Sequence, residues 1–184
     1  MTDNARPKLD INDHDGGYFA LRDGALVQIR SIRADDAARL QGLFGRLTPE
    51  TIYFRFLAPR RALSDADASR LARVDQVREM AFVATMPGQG GHDPVIGVAR
   101  YAVLPEHPDL AEAAIVVEDL YQRRGLGRHL LSCLAAYARD HGVRAFTASI
   151  DPNNRQILSF VHSSGLTAEL RARGGLLDVR VPLV

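Results

Sequence analysis

The chain has 184 residues, of which 46% are hydrophobic and 24% charged, the mix and size of one ordinary globular domain. Disorder, collagen-like repeats and disulfide-dependent miniproteins are excluded, and the single cysteine, Cys133, forms neither an internal disulfide nor a Cys-rich metal cluster. The 23 basic and 22 acidic residues leave a net charge of +1, which argues against binding nucleic acid by bulk electrostatics. No apolar stretch approaches the ~20 residues that a membrane helix needs. The polar N-terminus has no secretory core, so the expectation is a cytoplasmic protein with no membrane partner.

Residues 1–17, with Pro7 and the Gly16-Gly17 pair, read as a flexible N-terminal tail, and residues 18–184 as a single domain. Tyr18 to Leu21 and Ala25 to Arg30 are predicted strands around a turn at Arg22-Asp23-Gly24. Asp35 or Asp36 is placed to cap a helix carrying Ala37, Leu40, Leu43, Phe44 and Leu47. Thr48 caps a second helix with Pro49 in its first position, and Ser64 opens a third. Strands follow at Met80–Ala84, Val95–Val103 and Ala111–Val117. The first two are joined by a hairpin loop from Pro87 to Pro94, and the second ends near Pro105 and Pro108. A helix spans Gly125 to Asp140 with Leu126, Leu130 and Leu134 on one stripe, and Gly142 ends it. Next come a strand at Ala145–Ile150, a helix from Asn153 to about Ser164 stopped by Gly165, and a strand pair around Gly174-Gly175. The alternation predicts an α/β or α+β sheet protein.

The chemistry concentrates between Ile115 and Arg128, where an apolar strand meets a tight turn and glycines open a helix. The first helical turn leaves backbone N–H groups unpaired, and the dipole favours an anion there. Glycine lets a pyrophosphate approach the main chain, with Arg123, Arg124 and Arg128 as charge-assisted donors. The glycines alone leave a second reading open, a plain loop with solvent-facing arginines. A dinucleotide fingerprint fails at His129 and Leu130, and no Gly-Lys-Ser/Thr run exists for a Walker loop.

Gln122-Arg123-Arg124-Gly125-Leu126-Gly127 resembles the Q/R-x-x-G-x-G/A motif of the GNAT superfamily of N-acetyltransferases, and Asp151-Pro152-Asn153-Asn154 follows the next strand as in that family. The resemblance covers roughly Leu26 to Val184. Leu21-Arg22-Asp23-Gly24, Arg55-Phe56 and Arg78-Glu79-Met80-Ala81 are similar to the acetyltransferase domain of bacterial protein-lysine acetyltransferases. What the resemblance implies is a GNAT fold: a mixed, mostly antiparallel sheet with a splayed parallel strand pair, flanked by helices. It implies acetyl-CoA as donor and no metal. It further implies that main-chain groups of Ile115 and Val117 hold the pantetheine arm. By the same resemblance Gln122 opens the motif, amides of Arg123, Arg124, Gly125, Leu126, Gly127 and Arg128 hold the pyrophosphate, and Asn154 also touches the cosubstrate. The acceptor partner is an amine, a protein lysine ahead of a small molecule; a homodimer is left open.

An ammonium has no lone pair, so a carboxylate near the acceptor serves as general base. Glu112, at the start of the strand leading to the motif, stands near the family's usual place for that base and is the first candidate; Glu79 is the second. Glu118 and Asp119 read as turn residues. Family members often protonate the departing thiolate with a tyrosine where this chain has Phe160, so no general acid is assigned, and Tyr101 and Tyr121 read as packing or acceptor-site residues. Cys133, mid-helix among leucines, reads as an inert buried thiol. The alternatives are an acyltransferase using a longer acyl-CoA and a non-catalytic module that senses acyl-CoA.

Overall fold

In a computed structural model, which describes residues 17–88, 93–163 and 167–183, strands and helices alternate in the predicted order. They are β1 (Gly17–Ala20), β2 (Leu26–Ser31), α1 (Ala37–Arg46), α2 (Pro49–Phe56), α3 (Asp65–Ala72), β3 (Glu79–Thr85), β4 (Val95–Leu104), β5 (His107–Val117), α4 (Leu126–Asp140), β6 (Ala145–Ile150), α5 (Arg155–Ser163), β7 (Glu169–Arg173) and β8 (Leu176–Pro182). The strands form one eight-stranded sheet in the order β1-β2-β3-β4-β5-β6-β8-β7. Every neighbouring pair is antiparallel except β5 and β6. Among the described residues no helix is long and apolar enough to cross a membrane.

Local chemistry sets most boundaries. The Thr48 hydroxyl accepts the Thr51 N–H at 3.2 Å with Pro49 in the first turn of α2, and Ser64 accepts the Asp67 N–H at 3.1 Å at the start of α3. Gly142, at φ +83°, follows α4 in the left-handed region that favours glycine.

Four expectations are corrected. Asp36 does not cap α1 with its side chain; a short 3-10 turn over Ala34–Asp36 leads in, and the buried carboxylate turns inward. It accepts both terminal nitrogens of Arg30 at 2.7 Å and the Arg33 N–H at 2.9 Å. A buried arginine needs a bidentate partner more than the helix needs a side-chain cap. β5 starts at His107 rather than Ala111, because Leu104 pairs directly with His107 across a tight turn that contains Pro105, and Pro108 lies within the strand instead of separating it from β4. α5 begins at Arg155 rather than Asn153, because the Asn154 side chain accepts the Ile157 N–H and so caps the helix from outside. Gly17, assigned to the tail, opens β1. Residues 1–16, the middle of the Pro87–Pro94 loop and Gly165 lie outside the described residues.

Two apolar clusters sandwich the first part of the sheet. On one face Leu126, Leu130, Leu134 and Ala138 of α4 pack on Met80, Ile96, Ala99, Tyr101 and Ala111. The approach is close: a Cβ on Gly97 would stand 3.2 Å from a Leu130 methyl. On the other face Leu40, Leu43 and Phe44 of α1 and Ala68 and Ala72 of α3 pack on Ala81, Val83 and Val98. These layers hold β5 rigidly from one side.

Candidate active site

β5 and β6 pair over three residues, Leu110 with Ala145, Ala111 with Phe146 and Glu112 with Thr147, and the ladder ends there. β5 runs on to Val117 paired only with β4, and β6 to Ile150 paired only with β8. A wedge opens between them with Glu112 and Thr147 at its apex. Backbone direction alternates along a strand. The Glu118 N–H donates to Ile96 O of β4, while Asp109 O accepts the Arg144 N–H from the β6 side. Ala113, Ile115 and Val117 therefore turn their main-chain groups into the wedge, and the Val117 carbonyl there accepts Gln122 Nε2 at 3.0 Å.

At the wide end of the wedge α4 begins. Gly125, at φ +91°, is its N-cap and no side chain caps the helix. The first helical bond is the His129 N–H to Gly125 O at 3.1 Å, so the amides of Leu126 and Gly127 precede the helical ladder and have no acceptor within the helix. A Cβ on Gly127 would touch Ile115 at 3.6 Å and Phe160 and Val117 at 3.9 Å. Gly127 therefore packs, without a side chain of its own, against the side chains of β5 and α5. The residues at hand fit a pyrophosphate with a pantetheine arm: uncapped amides at one end and outward-facing strand groups at the other.

The turn after β1 buttresses this loop. The Arg22 N–H donates to Arg124 O at 3.1 Å, and Arg22 Nη1 to Arg123 O at 3.3 Å. The Arg124 guanidinium pairs with Asp23 at 2.6 Å and lies 5.5 Å from the Tyr121 ring. Phe19 of β1 stacks on His129 at 4.0 Å, and burial there lowers the His129 pKa. The sequence carries no sign of this support, whose partners lie 101 residues apart.

The other candidates sort by position. Glu112 is exposed and, with Thr147, Ser149, Asp178 and Arg180, lines a cavity of about 450 Å³. Glu79 lies in the same cross-strand row, through Ala102, two strands away and 3.3 Å from Arg100. Glu118 is buried against Arg46 at 2.9 Å. Asp119 accepts the Thr48 amide and the Thr48 and Thr51 hydroxyls; these bonds outweigh burial and hold its carboxyl below the usual range. Both carboxylates thus tie α1 and α2 to the end of β5. The Tyr53 hydroxyl donates to Asp151 at 3.1 Å, so α2 spans the wedge from the end of β5 to the end of β6. Tyr101 is a core residue whose hydroxyl burial pushes up to about 12. Burial likewise pushes the Cys133 thiol up to about 11, so it is protonated and unreactive at neutral pH.

Residues 50–165 match the sequence model of the acetyltransferase (GNAT) family. An acetyltransferase from Pseudomonas aeruginosa is 32% identical over 150 residues, 82% of this chain and 80% of that protein. The acetyltransferase Pat of Mycolicibacterium smegmatis is 31% identical over 137 residues, 73% of this chain but 39% of Pat, so the chain spans well under half of that relative. The crystal structure of the GNAT domain of the Streptomyces lividans protein PAT superposes with a TM-score of 0.83 at 32% identity, covering 92% of this chain and 97% of that one. The mixed, mostly antiparallel sheet with one parallel pair is the GNAT fold that the motif implied.

Proposed function

The chain belongs to the GNAT acetyltransferase family, and on that footing we propose that it transfers acetyl from acetyl-CoA directly to an amine, with a protein lysine as acceptor and Glu112 as general base. The family draws its acetyl group from acetyl-CoA as an activated thioester. The observation that carries the reading is the end of the β5–β6 ladder at Glu112. One carboxylate thereby stands at the apex of the wedge and on the wall of the 450 Å³ cavity.

In this reading the amides at the start of α4 bind the pyrophosphate and the inward-facing groups of Ile115 and Val117 bind the pantetheine arm. Gln122 fixes the turn between them through Val117 O, and Asn154, which caps α5, contacts the cosubstrate from the β6 side of the wedge. The acceptor enters from the cavity side. Its amine gives a proton to Glu112, directly or through water, as the nitrogen bonds the acetyl carbon and the C–S bond breaks. Phe160 supplies no proton, and a thiolate of pKa near ~8.5 leaves without one. The cavity is open and polar, with strand side chains of both signs, which suits a segment of polypeptide better than a small apolar amine.

The test is release of free CoA by the purified protein with acetyl-CoA and either lysine peptides or small amines. Glu112→Gln is expected to lower kcat by about 10²- to 10⁴-fold while acetyl-CoA affinity, measured calorimetrically, stays unchanged. Saturable acetyl-CoA binding with no release on any acceptor would replace the enzyme reading with an acyl-CoA sensor. Release with small amines alone would move the acceptor away from protein lysine.

A further inference from the structure

On the acceptor side of β5, Ala114 and Val116 form the floor of a narrow apolar crevice walled by Leu43, Phe44 and Phe56, into which two arginines, Arg55 of α2 and Arg100 of β4, project. Ala114 follows Glu112 on the same face of the strand, so the crevice adjoins the general base proposed above. The two cations are not equivalent. Arg100 bonds Leu71 O at 3.2 Å and Glu79 at 3.3 Å. Arg55, among the described residues, makes no hydrogen bond or ion pair; its guanidinium lies 5.0 Å from the Phe56 ring, with Arg60 at 4.6 Å from the same ring. Burial and Arg100 together push Arg55 down to about 10, with Glu112 opposing them. That still leaves it charged at neutral pH.

We propose that Arg55 is a positioning residue of electrostatic kind: its unspent positive charge beside Glu112 disfavours the ammonium form of the acceptor amine where the proton is to be lost. The inference rests on the reading of Glu112 as base. A neighbouring cation lowers the pKa of an amine in a partly desolvated site, by the same physics that activates catalytic lysines. The charges around the acceptor side are Arg55 of α2 and Arg60 in the segment after it, the Arg100–Glu79 pair across β4 and β3, Glu112 on β5, Asp178 and Arg180 on β8, and Glu169 and Arg171 on β7. Glu79 matches Arg100 and Arg60 pairs with Asp67 at 3.3 Å. Arg180 faces Glu169 at 3.8 Å, and Arg171 stands exposed on β7 across the cavity. Among the described residues Arg55 is therefore the cation of the crevice whose charge is not spent on a partner within ion-pair distance.

The experiment is the pH dependence of kcat from pH 6 to 9.5 at saturating acetyl-CoA, with a lysine peptide and with cadaverine as acceptors. kcat reports ionisations of the bound complex. Removing the cation makes the bound ammonium easier to keep, so Arg55→Gln and Arg55→Met move the rising limb to higher pH by about 0.5–1 unit. Arg55→Lys leaves it in place. The methionine keeps the aliphatic stem against Phe56, and melting temperature and acetyl-CoA affinity confirm folding. A lower kcat with an unmoved limb, or a limb that moves equally in Arg55→Lys, overturns the proposal. So does a rise in KM confined to acceptors bearing a carboxylate, which would make Arg55 an anion subsite. If Glu112→Gln keeps full activity, the base assignment fails instead, and the two failures are distinct.

Discussion

The two sides of the wedge are built to opposite specifications. β3 and most of β4 are buried between α4 on one face and α1 with α3 on the other, and they carry β5 along its whole length. Across the wedge β6 is buried at Ala145, Phe146 and Ile150, β8 only at Val179, and every residue of β7 is exposed. The packed side presents what must be placed accurately, the outward amides of β5 and the carboxylate of Glu112. The open side lends a polar wall of alternating charge. In the reading proposed above, the donor meets the packed half, and an acceptor of variable shape would be received at the open one without disturbing the core.

Substitutions on the two sides sharpen the contrast. Leu134→Ala removes a fully buried side chain of α4 and is expected to cost about 3 kcal/mol, read as a shifted denaturant midpoint. Asp36→Asn, which leaves buried Arg30 without its ionic partner, is expected to cost about 3 kcal/mol near neutral pH. Burial alone would raise the Asp36 carboxyl, but hydrogen bonds from Arg30 and the Arg33 amide and the charges of Arg30 and Arg39 hold it lower. Its folded pKa lies below the unfolded value of about 4, so the stabilisation is complete above pH ~4 and is lost as pH falls through the folded value. The wild type should therefore lose stability faster than Asp36→Asn below pH ~4, in urea titrations at stepped pH. Leu170→Ala, on exposed β7, should change stability by less than about 0.5 kcal/mol. A large loss there would show that the open half is more tightly packed than its exposure implies.

What the sequence disclosed follows the range of each interaction. Thr48, Ser64 and Gly142 act on backbone within a few residues and could be read directly. The strand at Ala145–Ile150 was equally plain, because alternation and the following Asp-Pro are local. The motif from Gln122 to Gly127 pointed to the family because it is carried by consecutive residues. Asp36 misled, since its partner Arg30 lies outside the helix that it was expected to cap. The contacts Asp23–Arg124, Thr48–Asp119 and Tyr53–Asp151 join residues 101, 71 and 98 positions apart. No local pattern announces such pairs. Arg55 was visible as part of an Arg-Phe dipeptide, but its lack of an ionic partner is a property of the fold alone.

The short seam between β5 and β6 has a consequence for hydrogen exchange. Beyond Ala113 β5 keeps one ladder and lacks the other, so its amides should divide by parity. Those of Ala114, Val116 and Glu118 are locked into β4, whereas those of Ile115 and Val117 face the gap. In deuterated water the strand should therefore exchange as a comb of slow and fast teeth. A cosubstrate lying in the gap would restore the missing rungs and turn the comb into an evenly protected strand.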